Sequence, residues 1–161
     1  MDNPYSPPKS DVEIVNTSNP MHLFKRFSAW WVFLLTVVTF GIYPVYWLYS
    51  RSRIIGSVHR RQISEVVVWG TILAFIPNTV LSYMPENTLP NQEIFILLST
   101  LVYLILFLWW LFAVRNRLLE MVRESGNPGY RLSPVMTFFF YCIYLQYKIN
   151  EQIDQMTAET P

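Results

Sequence analysis

Apolar and polar positions fall into long blocks along this chain, not into the short periods of a soluble domain. Residues 27–49 run for 23 positions without a charge, residues 66–84 for 19, residues 94–114 for 21 and residues 134–147 for 14. A helix rises about 1.5 Å per residue, so roughly 20 residues cross a hydrocarbon core of about 30 Å. The first three blocks are long enough. The fourth falls in the range of re-entrant or interfacial pieces, and its length leaves open whether it spans. The pattern predicts an all-α integral membrane protein, a small bundle of three to four membrane segments (27–49, 66–84, 94–114 and a shorter 134–147 that crosses fully or only half-way).

Around the blocks, residues 1–20 form a tail of proline, serine and asparagine with little to bury, predicted to be disordered. A membrane domain over 21–149 and a short C-terminal tail over 150–161 complete the expected organisation. Lys25 and Arg26 precede the first block as they would in a signal peptide. The block is too long for such an apolar region and no small-residue cleavage site follows, so it is expected to be retained.

Composition agrees with lipid contact. Hydrophobic residues make up 52% of the chain and charged residues 14%, against about 25% charged in an ordinary globular protein. So few charges cannot cover so much apolar surface. A single cysteine, Cys142, rules out an internal disulfide and a cysteine-rich metal site.

Charge placement predicts orientation. All 12 Lys and Arg residues lie outside the four blocks. Loop 50–65 carries Arg51, Arg53, Arg60 and Arg61, and loop 115–133 carries Arg115, Arg117, Arg123 and Arg131. The loop between the second and third blocks has no basic residue and holds Glu86 and Glu93. Short basic loops stay cytoplasmic, so the second and third blocks form a hairpin whose tip points the other way. For the first block, length favours a full crossing and the charge rule favours a dip and return. A long uncharged run inserts readily, so a full crossing is expected.

That block ends in a distinctive way. Gly41 and Pro44 weaken or break a helix. Tyr43, Tyr46 and Trp47 are amphipathic rings of the kind that collect at headgroup level. Arg51 and Arg53 follow, expected to reach lipid phosphates. A fainter copy occurs near the end, where Ile143-Tyr144-x-x-Tyr147 repeats Ile42-Tyr43-x-x-Tyr46. The stretch from Thr39 to Trp47 has the form T-x-G-I-Y-x-x-Y-W. With "FFFYCIYLQYKIN", it resembles a bacterial membrane family catalogued as domain of unknown function 4234. The resemblance implies a bacterial inner (cytoplasmic) membrane location and brings no established activity.

Polar residues inside the blocks form stripes: Thr36 and Thr39 in the first, Thr71, Asn78 and Ser82 in the second, Ser99 and Tyr103 in the third. Such stripes serve interhelix packing and hydrogen bonding, or else line a path for a solute. Outside the blocks, Arg51, Arg53, His59, Arg60, Arg61, Arg115 and Arg117 are candidate contacts to lipid or a protein partner.

No Asp, Glu, Lys, Arg or His interrupts any block, and proton-coupled transporters place ionisable groups there. Nor do acids, bases or metal ligands converge as catalysis requires. The expectation is a non-catalytic membrane protein with no cofactor or metal, acting through lipids, anionic ones included, or through a membrane-protein partner or second copies of itself. Four charges on a tethered loop make nucleic acid a poor partner. A pore-forming or transporter subunit working as an oligomer is the alternative.

Overall fold

The uncharged run over 27–49 does not fold as one helix. In the structure, a computed structural model describing residues 20–58, 62–85 and 88–159, it divides into α1 (Ala29–Val38) and α2 (Ile42–Val58). The break lies where Phe40 and Gly41 take φ of 48° and 87°. Gly41 N–H closes back on Thr36 O at 3.0 Å, the wide turn by which a helix ends through left-handed residues. Thr39 secures both sides: its hydroxyl donates to Leu35 O at 2.6 Å and accepts from Tyr43 N–H at 2.9 Å. Pro44, expected to help end the helix, is instead the third residue of α2. In a first turn its missing N–H costs nothing, because no partner is available there anyway.

Ten residues of α1 rise only about 15 Å, half of what a crossing demands. The chain also returns to where it started. Phe24, which follows a 3-10 turn at Pro20–Leu23, stacks its ring 5.8 Å from the Arg51 guanidinium on α2. The expected single helix over 27–49 is therefore corrected to a helical hairpin whose ends lie together.

Two further helices form the second hairpin. α3 (Glu65–Tyr83) and α4 (Gln92–Glu124) run antiparallel, with Asn78 meeting Thr100 and the rings of Phe75 and Tyr103 5.5 Å apart. These two helices are long and apolar enough to cross a membrane. α4 outlasts its uncharged stretch, and its last turns bury Trp110, Leu111, Val114, Leu118, Met121 and Val122. It stops as the Gly-Asn-Pro-Gly run at 126–129 predicts, with Gly126 at φ 105°.

α5 (Pro134–Glu159) carries a break of its own at Tyr141, φ 27°. Tyr141 stands two residues before Ile143, as Phe40 stands two before Ile42, so the weak sequence echo marks two equivalent discontinuities. They pack against one another: the buried Cys142 thiol lies 3.9 Å from Pro44 O. Beyond the break the helix continues to Glu159, so positions 150–159, expected as tail, are helical.

Among the described residues there is no strand; the chain is all helical. α2 packs between the last turns of α4 and the second half of α5, and this end of the bundle is its base. Its Trp47 reaches α5 and its Ser52 reaches α4, where it accepts from Trp110 Nε1–H at 2.8 Å.

Candidate functional site

The break at Gly41 resets the helical phase, and that decides which side chains of α2 turn inward. Pro44, Val45, Trp47, Leu48, Arg51 and Ile55 are buried at three- and four-residue spacing. Tyr46 faces out, 62% exposed, with Tyr43 half-buried beside it. Of the expected aromatic anchors, Tyr46 alone is freely displayed. Trp47, 2% exposed, is a core residue.

Arg51 is likewise corrected. It does not project toward headgroups but is only 9% exposed. Its guanidinium donates to Gln146 Oε1 at 2.9 Å and lies 5.4 Å from the Trp47 ring. Trp47 Nε1–H donates to the same oxygen at 3.0 Å. The Gln146 amide then donates to Asn150 Oδ1 at 2.9 Å, and Asn150 Nδ2 donates to Phe27 O at 2.7 Å. One chain of hydrogen bonds thus ties the segment just before α1, the middle of α2 and the second half of α5.

Burial lowers the Arg51 pKa from its ordinary value, but a guanidinium stays charged in a protein. Among the described residues its Nε is buried without a hydrogen-bond partner. A charge held this way relies on the rings and the shared oxygen to replace water.

Sequence reasoning missed Gln146 and Asn150. They are four apart on α5, between Cys142, Leu145 and Ile149, all buried. An amide pair at helical spacing beside an apolar stripe was the available signal.

The remaining basic candidates divide. Arg53 is exposed, and with Tyr49, Gln62, Glu65 and Trp69 it lines a cleft of about 360 Å³. Arg117 pairs with Glu120 at 2.7 Å. Arg115 lines a separate cleft of about 460 Å³ with Arg123, Arg131 and Lys148. His59, Arg60 and Arg61 lie outside the described residues, as do residues 1–19.

In that second cleft, Arg115 and Arg123 stand on one stripe of α4, two turns apart, with Leu119 between them. Arg123 Nε–H donates to Tyr130 O at 3.1 Å, and Arg115 donates to Leu132 O. Tyr130 is itself buried, its hydroxyl donating to Lys148 O at 3.3 Å. Burial, then the charge of Glu151, raises its pKa.

Of the expected interhelix polar contacts, Asn78 and Ser99 form one between helices, while three others bond within their own helix. Thr36, Thr71 and Ser82 each donate to the carbonyl four residues back on their own helix, at 2.7 Å. Asn78 Oδ1 accepts from Thr100 at 2.9 Å and lies 3.3 Å from Ser99 Oγ. Tyr103 stacks between Phe75 and Phe107, 5.5 and 5.7 Å away.

Among the described residues, no group of three His, Cys, Asp or Glu side chains has the arrangement to hold a metal ion.

Comparison with known proteins gives one family and no closer guide. No curated protein and no solved structure matches the chain. The model of the family described as Domain of unknown function (DUF4234) matches residues 27–120, a region running from the opening of the first hairpin to the buried turns of α4. The chain belongs to that family.

Proposed function

We propose that this chain is a non-catalytic integral membrane protein that works through contacts with lipids or a protein partner. In this reading α3 and the uncharged part of α4 cross the bilayer. The α1–α2 hairpin and the first half of α5 dip in and return, and the basic base lies on the cytoplasmic side. The likeness to a bacterial membrane family extends the proposal to the cytoplasmic membrane of a bacterium.

The observation that carries it is the exposure of the apolar hairpin. Only 17% of the most apolar stretch of α3 and 11% of that of α4 is buried within the chain. Val66, Leu73, Ile76, Ile94, Leu101 and Ile105 all turn outward. A core helix of a soluble protein would hide them. Single exposed apolar residues are ordinary, but a continuous apolar belt around two helices is not.

The re-entrant arrangement also satisfies the charge rule. With both ends of the α1–α2 hairpin and the far end of α5 on one face, every basic loop shares one side of the bilayer. Backbone at the two breaks would lie at membrane depth, where irregular structure is tolerated only against protein. The contact of Cys142 with Pro44 O supplies that cover.

The hydroxyl stripes support packing over a solute path, since Thr36, Thr71 and Ser82 are turned back on their own backbones. The test is fractionation. The expressed chain should stay in the membrane pellet through alkaline carbonate and leave it only in detergent. Release by carbonate alone would end the proposal.

A further inference from the structure

Positive loops on one side of a membrane explain why arginines occur after α4, but not why four cations from three separate elements converge. Arg115 and Arg123 come from α4, Arg131 from the loop after it and Lys148 from α5, and all line one open cleft of about 460 Å³. That volume lies in the range of small-ligand sites. Among the described residues, no carboxylate lines it. Glu151 is bonded to one of its cations, Lys148. Glu120, nearby on α4, pairs with Arg117. Among the residues that line the cleft the charge is thus all positive, with Lys148 bonded to Glu151.

The geometry is built and not splayed. Arg115 and Arg123 are anchored by their bonds to Leu132 O and Tyr130 O. Ser133 N–H donates to Tyr144 Oη at 2.9 Å, which holds the cleft wall. Arg115 Nε is buried, and among the described residues it has no hydrogen-bond partner. Like charges gathered in a fixed concave surface repel one another unless an anion sits among them. Planar guanidinium forks bind the oxygens of phosphate or carboxylate in pairs.

We infer that this cleft binds a phosphate group, held by Arg115, Arg123, Arg131 and Lys148. The proposed membrane location supplies a source, since the cleft adjoins the end of the uncharged stretch of α4, where glycerophospholipid headgroups lie. The inference rests on that location only for the source. A free phosphate would satisfy the same chemistry.

The full chain in a neutral detergent tests this. Its melting midpoint is followed against phosphatidylglycerol, phosphatidylcholine and inorganic phosphate, for the native protein, the double variant Arg131→Gln/Lys148→Gln, and Lys25→Gln, an exposed cation outside the cleft. Phosphatidylglycerol should raise the midpoint well beyond phosphatidylcholine. Losing a cation should weaken the response about fivefold each, so the double variant should need at least tenfold more lipid. Lys25→Gln should stay within twofold.

If inorganic phosphate alone reproduces the effect with the same dependence on the variants, the site stands and its ligand is soluble. An equal response in native and double variant, or an equal loss in Lys25→Gln, overturns the inference. Should the double variant fail to fold, Arg131→Gln alone, in the exposed loop, makes the comparison. A native chain that stays monodisperse without detergent defeats the membrane reading, while the inorganic phosphate titration still reads the cleft.

Discussion

Arg51 on α2 and Gln146 on α5 are joined by a hydrogen bond of 2.9 Å, and around it the two broken elements of the chain are assembled. The same oxygen takes the indole N–H of Trp47, so one acceptor serves two buried donors. Replacing Gln146 by leucine keeps the volume roughly constant and removes that acceptor. Breaking a buried charged contact from one side costs on the order of 3 kcal/mol. Gln146→Leu should therefore lower the melting midpoint sharply, and Arg51→Leu in addition should recover a large part of the loss. Arg53→Leu, on the exposed side of the same helix, should change stability by less than about 0.5 kcal/mol. Equal effects at 51 and 53 would remove the distinction drawn between them.

The break between α1 and α2 depends on Gly41 at φ 87°. An added Cβ there would meet nothing within 4 Å, so the cost of Gly41→Ala is purely conformational, about 1–2 kcal/mol. Thr39→Val removes the hydroxyl that bonds both helix ends and should cost about 1 kcal/mol. Thermal melts of the two single variants and the double variant read this directly. Because both act on one turn, their effects should not simply add.

Asn78→Leu removes the acceptor for Thr100. Interhelix bonds of this kind contribute about 0.6–2 kcal/mol, so α3 and α4 should stay together with a small drop in stability. If a solute flux associated with the protein collapsed while folding persisted, a polar path would have to replace packing as the role of these residues.

Tyr130 gives a pH dependence with a defined sign. Burial raises its pKa, so the folded chain keeps a proton that the unfolded chain gives up near the ordinary tyrosine value of about 10. Its stabilising contribution is complete below that pH and is lost as pH climbs toward the folded value. Urea midpoints from pH 8 to 11 should fall above pH 10, and less steeply in Tyr130→Phe.

Sequence pattern was enough for the α3–α4 hairpin, for the stop at Gly126 and for a discontinuity near Gly41. Each follows from a local property: an uncharged run of sufficient length, or a residue free to adopt positive φ. It was not enough for Trp47 and Arg51. Their burial depends on the phase of α2, which restarts after the break, and on Gln146, which lies far along the chain. Residue type alone put both at a lipid surface. Pro44 shows the same limit, because a proline ends one helix or opens the next according to where the turn falls. The basic cleft was half visible. Arg115 and Arg123 share a helical stripe, but only folding brings Arg131 and Lys148 to them.

Thiol labelling of single cysteines with an impermeant reagent tests the arrangement most directly. Cys142 is fully buried and should not compete. Cysteines placed at Leu23, Arg53 and Thr157, all exposed in the base, should react only after cells are permeabilised, whereas one at Leu89, in the loop between α3 and α4, should react in intact cells. Labelling at Leu23 from outside, with Arg53 still protected, would mean that the first uncharged run crosses the membrane after all and that its return beside Arg51 is wrong.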